Sequence, residues 1–338
     1  MIIKNGKLLN FSNMPIITDF SSTVGEKEKA GPLGEYFEHY ENDPYFGQKT
    51  WEEAETELIR KTVKRVIANS KLKNEDIDFI FAGDLLNQCV SSSHGLINQS
   101  EAYVGLYGAC STMALSLATG SIFIESSAAN NVICATASHF SSAERQFRQP
   151  LEYGGQRPPS AQWTVTGAGA VMLRKTSLKN EKIKIKQVLF GKTEDYGICD
   201  ANNMGAAMAP AAANTLIDFF KLSNTCPTDY DAIITGDLGT IGSTLLKELC
   251  LKEKIDLSKN YCDCGVMIFN NKTQDVHSGG SGCGCSASVL SSYFLPKMKR
   301  GELSNILFVA TGALLSPTTV QQGKSIPSIA HLINIIKD

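Results

Sequence analysis

Two stretches of the chain carry the same order of apolar and polar positions. Asp78-Phe-Ile-Phe-Ala-Gly-Asp-Leu85 and Asp231-Ala-Ile-Ile-Thr-Gly-Asp-Leu238 are each a short apolar run closed by Gly-Asp, and each predicts a strand. Each follows a segment whose apolar residues recur at spacings of three and four. The first runs from Glu53 to Ser70 with Leu58, Ile59, Val63, Val66 and Ile67; the second runs from Ala206 to Leu222 with Leu216, Ile217, Phe219 and Phe220. That period predicts an amphipathic helix before each strand.

A second pair of segments repeats further on. Gly108-Ala-Cys-Ser111 precedes an uncharged run to Ile124 and then an apolar strand from Asn131 to Thr136. Cys283-Gly-Cys-Ser286 precedes an uncharged run to Leu295 and then an apolar strand from Asn305 to Ala310. A helix without charge on any face is buried all round. Two such helices, one per half, predict a centre flanked by two sheets, with the amphipathic helices outside. The expectation is an α/β chain of duplicated halves in five layers, α-β-α-β-α. The boundary is placed in the polar stretch after the strand Ala170–Leu173, giving halves of 1–177 and 178–338.

Composition narrows the functional classes. With 32 Lys and Arg against 34 Asp and Glu, there is no basic excess to hold nucleic acid. The uncharged run from Val104 to Ile124 contains Gly105, Gly108, Gly120 and several hydroxyl residues, too polar for a span. No secretory leader is read at the start, so the ten cysteines are expected as free thiols in a reducing compartment.

Four motifs invite chemistry. Cys110 stands where a helix begins, and a helix N-terminus favours thiolate; a small buried residue is the bland alternative. Thr164-Val-Thr-Gly-Ala-Gly-Ala170 has glycines suited to close backbone approach, but is no dinucleotide fingerprint. Cys262, Cys264, Cys283 and Cys285 form two C-x-C pairs; four thiolates suit zinc, though this spacing is not that of a zinc ribbon, and Cys262 and Cys264 are read within a strand from Tyr261 to Ile268. The glycine-rich run from His277 to Cys285 offers backbone N–H groups to an anion or serves as a tight turn. His139, Arg145, Arg148, Gln156 and Arg157 lie on a polar stretch whose guanidinium forks suit carboxylates.

Together these residues resemble the thiolase-like condensing enzymes, the ketoacyl synthases among them, in which Gly-Ala-Cys-Ser opens a buried helix. The resemblance is closer to one branch, the stage V sporulation protein AD family of spore-forming bacteria. It is carried by Ala135-Thr-Ala-Ser-His through Arg148, by residues 150–159, by Gln162-Trp-Thr-Val-Thr-Gly-Ala-Gly-Ala170 and by Gly279-Gly-Ser-Gly-Cys-Gly-Cys285. It implies the five-layer fold, no cofactor, binding of pyridine-2,6-dicarboxylate (dipicolinate) alone or as its calcium chelate, and support of its uptake into the developing spore. It also implies membrane proteins of the same operon as partners, a peripheral place on the spore inner membrane, and a homodimer, expected through the strand Asn131–Ala137. Condensing enzymes activate their cysteine with His–His or His–Asn. Those positions hold Asp237 and Cys283 here. The expected ligand site is Cys110, Asp237, His277, Cys283, His139 and Arg145, with no metal. The alternative is a Cys-dependent acyl-transferring enzyme with Cys110 as nucleophile and His277 or His139 as base.

Overall fold

The computed structural model describes residues 1–97, 101–147, 157–176 and 182–338. The expected boundary at 177–178 lies outside the described residues, as do Arg148 and Gln156. The first half supplies β1 (Ile16–Gly25), α1 (Trp51–Ser70), β2 (Phe79–Gly83), β3 (Ala102–Gly105), α2 (Thr112–Glu125), β4 (Asn131–Ser138), α3 (Phe140–Phe147), the two-residue β5 (Trp163–Thr164) and β6 (Gly167–Arg174). The second supplies β7 (Ile183–Leu189), α4 (Met204–Ser223), β8 (Ala232–Thr235), α5 (Gly239–Lys252), β9 (Tyr261–Asp263), β10 (Gly280–Ser281), α6 (Cys283–Val289), β11 (Asn305–Ala313) and β12 (Ser328–Lys337).

The strand orders β1-β6-β4-β2-β3 and β7-β12-β11-β8-β9 are the same order twice. The senses match as well: two antiparallel pairings followed by two parallel ones in each run. The runs meet where Lys184 of β7 pairs with Ile16 of β1. The repeat extends to side chains. Asp78 accepts from the backbone N–H groups of Asn130 and Asn131 at 2.6 and 3.0 Å, and Asp231 accepts from those of Ser304 and Asn305 at 2.6 and 2.9 Å. These carboxylates tie the start of each Gly-Asp strand to its parallel neighbour.

Local chemistry sets the outer helices. The Thr50 hydroxyl accepts from the Glu53 N–H at 3.2 Å and caps α1, and Asn203 does the same for Ala206 of α4 at 3.4 Å. Lys71 and Asn224, at φ +58° and +54°, end them in the left-handed conformation. The apolar face of α1 packs Leu58, Ile59 and Val63 with Ile80, Ile133 and Met172. That of α4 packs Leu216, Phe219 and Phe220 with Leu307, Val309 and Leu332. A third cluster joins Met113 and Leu117 of α2 and Ala287 and Val289 of α6 to strands of both halves, Val132 and Val171 on one side and Phe308 and Ile333 on the other. The two uncharged helices are thus held at the centre, as their composition predicts.

Two expectations are corrected. The strand read from Tyr261 to Ile268 stops at Asp263, whose carboxylate accepts from the Val266 N–H at 3.1 Å and starts a helical turn over Cys264–Ile268. An unbroken apolar run does not separate strand from buried helix; the capping aspartate does. The strand around Asn131–Ala137 has no free edge, because β4 is paired with β6 on one side and β2 on the other. Among the described residues the edge on that side of the sheet belongs to β3, with Ala102 and Gly105 exposed.

The glycines of Gly167-Ala-Gly169 mark where α6 lies directly on β6. A Cβ on Gly169 would stand 2.3 Å from the Ala287 carbonyl oxygen, and one on Gly284 would stand 2.1 Å from that of Gly167. Gly169→Ala is therefore expected to overpack the centre and lower the unfolding free energy by about 1–3 kcal/mol, read as a shifted denaturant midpoint with an unchanged slope. An unaltered midpoint would mean that the helix–strand contact yields freely.

Candidate functional site

Cys110 sits in a 3-10 turn, Ala109–Ser111, that leads into α2. Ala109 has φ +48°, a left-handed conformation that a non-glycine residue adopts only when its surroundings hold it. The hydroxyls of Ser111 and Thr112 donate to the Gly108 and Ala109 carbonyls at 2.6 Å each and hold the turn. Cys110 is 5% exposed.

Asp237 reaches the same point from the end of β8. It is fully buried and its carboxylate accepts three hydrogen bonds. Oδ2 takes the Gly282 N–H at 2.9 Å and the Ser281 hydroxyl at 3.1 Å, and Oδ1 takes the Thr311 hydroxyl at 2.8 Å. Burial raises its pKa, opposed by the Cys110 thiol beside it and by those donors. Burial, then the Asp237 charge, then Cys283 push the Cys110 thiol well above its usual range. The helix-terminus argument for a thiolate is overturned here: desolvation and a neighbouring carboxylate outweigh the turn's backbone dipoles. Cys283 packs against Cys110 and donates to the Ala137 carbonyl at 2.9 Å.

An open cleft of about 700 Å³ lies over this group. Leu85, Phe147, Met204 and Leu315 supply apolar wall; Tyr107, Glu144, Gln162, Thr164, Asn202 and Ser281 supply polar groups. The Thr164 hydroxyl donates to Glu144 at 3.1 Å, and the Gln162 amide donates to the Asp237 and Gly280 carbonyls at 2.7 and 2.8 Å. Parallel pairing of β5 with β10 brings these residues of the first half onto Ser281 of the second.

Three of the six expected ligand residues meet at this point: Cys110, Asp237 and Cys283. The other three stand elsewhere. His139 is buried, its Nε2 hydrogen-bonded to the Pro44 carbonyl oxygen at 2.8 Å and its ring stacked on Trp51; it borders a separate recess, and burial lowers its pKa. Arg145 pairs with Glu52. On α3 the cleft-lining residues are Ala143, Glu144 and Phe147, spaced for one helical face, and Arg145 projects from another. His277, at φ +52°, lies 3.4 Å from the Asp275 carboxylate and does not line the cleft. Neither histidine proposed as base for acyl transfer reaches Cys110. The zinc alternative fails in its arrangement: Cys283 and Cys285 donate to the Ala137 and Gly236 carbonyls, and among the described residues no group of three or more His, Cys, Asp or Glu side chains is placed to hold a metal ion.

Sequence reasoning passed over Gln162, Glu144, Tyr107 and Asn202 as site residues. Gln162 and Glu144 stand inside motifs quoted for the family resemblance, but no spacing rule marks a single amide or carboxylate as facing a cleft.

Repeated five-strand runs around two buried helices, with a cysteine at the start of one, define a thiolase-like α/β fold. Structures of the same architecture include the Aquifex aeolicus 3-oxoacyl-[acyl-carrier-protein] synthase III, at a TM-score of 0.55 and 11% identity over 95% of this chain and 99% of that one. Human mitochondrial 3-ketoacyl-CoA thiolase in complex with CoA gives 0.57 and 12% over 97% and 99%. A single-residue variant of Xanthomonas campestris OleA bound with cerulenin gives 0.60 and 11% over 99% of each. These likenesses concern the fold alone. The chain belongs to the stage V sporulation protein AD (SpoVAD) family, whose model matches residues 6–336. It is 42% identical to the stage V sporulation protein AD of Bacillus subtilis over 318 residues, 94% of this chain and 93% of that one. Membership gives the chain a role in sporulation. Among the described residues no helix is long and apolar enough to cross a membrane.

A thiol kept protonated by burial and by a neighbouring carboxylate reacts slowly. At pH 8 an alkylating agent is expected to modify the exposed Cys199 and Cys226 and leave Cys110 untouched in the folded protein. Asp237→Asn removes the repelling charge and is expected to speed Cys110 alkylation. Peptide mapping reads both, with Cys199 as internal standard. Wild-type Cys110 reacting as fast as Cys199 would contradict the inert-thiol assignment.

Proposed function

We propose that the chain is a receptor for pyridine-2,6-dicarboxylate, free or as its calcium chelate, that supports its uptake into the developing spore. The observation that carries this reading is the buried carboxylate of Asp237 beside the buried Cys110 thiol. The resemblance to condensing enzymes puts an imidazole or amide partner of the cysteine at that strand end. An imidazole would take the thiol's proton, whereas a buried carboxylate opposes both a thiolate and the oxyanion of acyl transfer. The cleft persists with its catalytic group disarmed. Its apolar walls suit a planar ring, and the Tyr107 hydroxyl, the Asn202 amide and the N-terminus of α4 beyond it suit carboxylates.

The same reading includes the five-layer duplicated sandwich, with halves 1–177 and 178–338, and a peripheral position on the spore inner membrane beside membrane proteins of the same operon. It also includes a homodimer, now assigned to the open edge of β3. A row of unpaired backbone groups on an edge strand is a ready site for pairing.

Calorimetric titration with dipicolinate is expected to give saturable binding, weakened by about 1–2 kcal/mol in Cys110→Ala, as for one contact among several. Intact-mass measurement after exposure to acetyl-CoA and longer acyl-CoAs is expected to reveal no adduct. Stoichiometric acylation that disappears in Cys110→Ser would replace this function with acyl transfer.

A further inference from the structure

We propose that Gln162 sets the protonation state in which the cleft accepts its ligand: the Gln162 side-chain oxygen takes a hydrogen bond from a carboxyl O–H, so a planar dicarboxylate binds together with one proton. This rests on the dipicolinate reading above and deepens it.

Gln162 is 5% exposed, immediately precedes β5 and lines the cleft. Its Nε2 donates to two carbonyl oxygens, those of Asp237 and Gly280. That assigns the amide: turned over, its oxygen would face two acceptors. Gly239 closes the nitrogen side, where a Cβ would stand 3.0 Å from Nε2. The oxygen is therefore turned away from those carbonyls, and among the described residues it has no hydrogen-bond partner although it is shut off from bulk water. A buried acceptor without a donor is destabilising. One that lines a binding cleft is matched by a donor the ligand brings.

Dipicolinate at neutral pH offers only acceptors. The donor it can gain is a proton from solvent, placed on a carboxyl oxygen and shared with Oε1; no other bond changes. The titratable groups around Gln162 favour this. Glu144 of α3 accepts from Thr164, two residues along. Asp237, beyond β8, has its carboxylate turned to Ser281, Gly282, Thr311 and Cys110. Asp263, at the end of β9, accepts from the N–H groups of Leu238 and Gly239, and burial raises it to about 7. The thiols of Cys110 and of Cys283 on α6 are pushed up by burial, as is the hydroxyl of Tyr107 before α2, to about 12. Lys27 and Arg157 lie over the ring of the neighbouring Trp163, 3.6 and 4.5 Å from its centre. The proton cancels one charge of the ligand and so lowers the cost of bringing it into a water-poor cleft.

The test is calorimetry of dipicolinate with the intact protein in buffers of different ionisation heat, at pH 6, 7 and 8. The expected result is uptake of about one proton per ligand and an affinity falling about tenfold from pH 7 to 8. The monoamide, 6-carbamoylpyridine-2-carboxylate, carries a permanent N–H donor. It is expected to bind without proton uptake and with a flat pH profile. Gln162→Met is expected to abolish the uptake for dipicolinate; should that variant not fold, the wild-type and monoamide measurements decide alone. Saturable dipicolinate binding with no proton uptake overturns the role of Gln162 and leaves the receptor reading standing. No dipicolinate heat at any pH removes the receptor reading, and this one with it.

Discussion

The carboxylate of Asp237 is the node on which the cleft depends. It is fully buried, so its charge must be met by protein donors. Thr311 is on β11, and the consecutive Ser281 and Gly282 lead from β10 into α6; Cys110, of the other half of the repeat, lies beside the carboxylate. A buried carboxylate left unpaired is costly, and so is each donor left without its acceptor. The three contacts therefore reinforce one another, and together they hold the turn before α6 against β8 and β11, with Cys110 beside them. That turn and the turn of Cys110 form the floor of the cleft. Stability and site geometry rest here on the same bonds.

The duplication gives this node a counterpart with a different use. Asp84 follows Gly83 at the end of β2, as Asp237 follows Gly236 at the end of β8. It too is fully buried, but it accepts from the backbone N–H groups of Leu86 and Ser92, 2.9 and 2.7 Å away, in its own loop. Its acidic neighbour is Glu55 of α1, and burial followed by the Asp84 charge raises Glu55 well above its ordinary value. The Ser142 hydroxyl of α3 donates to Glu55. One copy of Gly-Asp thus closes its own loop, and the other lies beside the cysteine at the cleft floor. The strand ends were repeated; the partners were not.

That difference separates what the sequence discloses from what it hides. Strands, outer helices and buried helices were legible because period and charge report burial directly: an uncharged run such as Thr112–Ile124 has nowhere to go but the centre. The meeting of Cys110, Asp237 and Cys283 was legible because all three stand at strand ends or helix starts, which the repeat places in register. His139, Arg145 and His277 were misplaced because their position depends on side-chain direction. Arg145 is one residue from Glu144, yet about 100° round the helix separates a cleft-lining group from a surface ion pair. Gln162 was hidden because its role comes from the pairing of β5 with β10, a contact between residues far apart in the chain.

The charge on Asp237 raises a problem that the geometry also resolves. A carboxylate at the floor of a cleft repels an anionic ligand, and more strongly where water is scarce. Its two oxygens, however, are engaged by Thr311 on one and by Ser281 and Gly282 on the other. Hydrogen bonds to the charged form draw its field into the protein, away from the open space. The thiol of Cys110 lies between that carboxylate and the cleft, a polarisable, uncharged surface where a condensing enzyme would need an anion. Burial and Asp237 keep it protonated. The carboxylate that opposes a thiolate at Cys110 therefore also leaves an uncharged thiol at the floor, so the anionic ligand proposed above would meet a neutral surface beneath apolar walls.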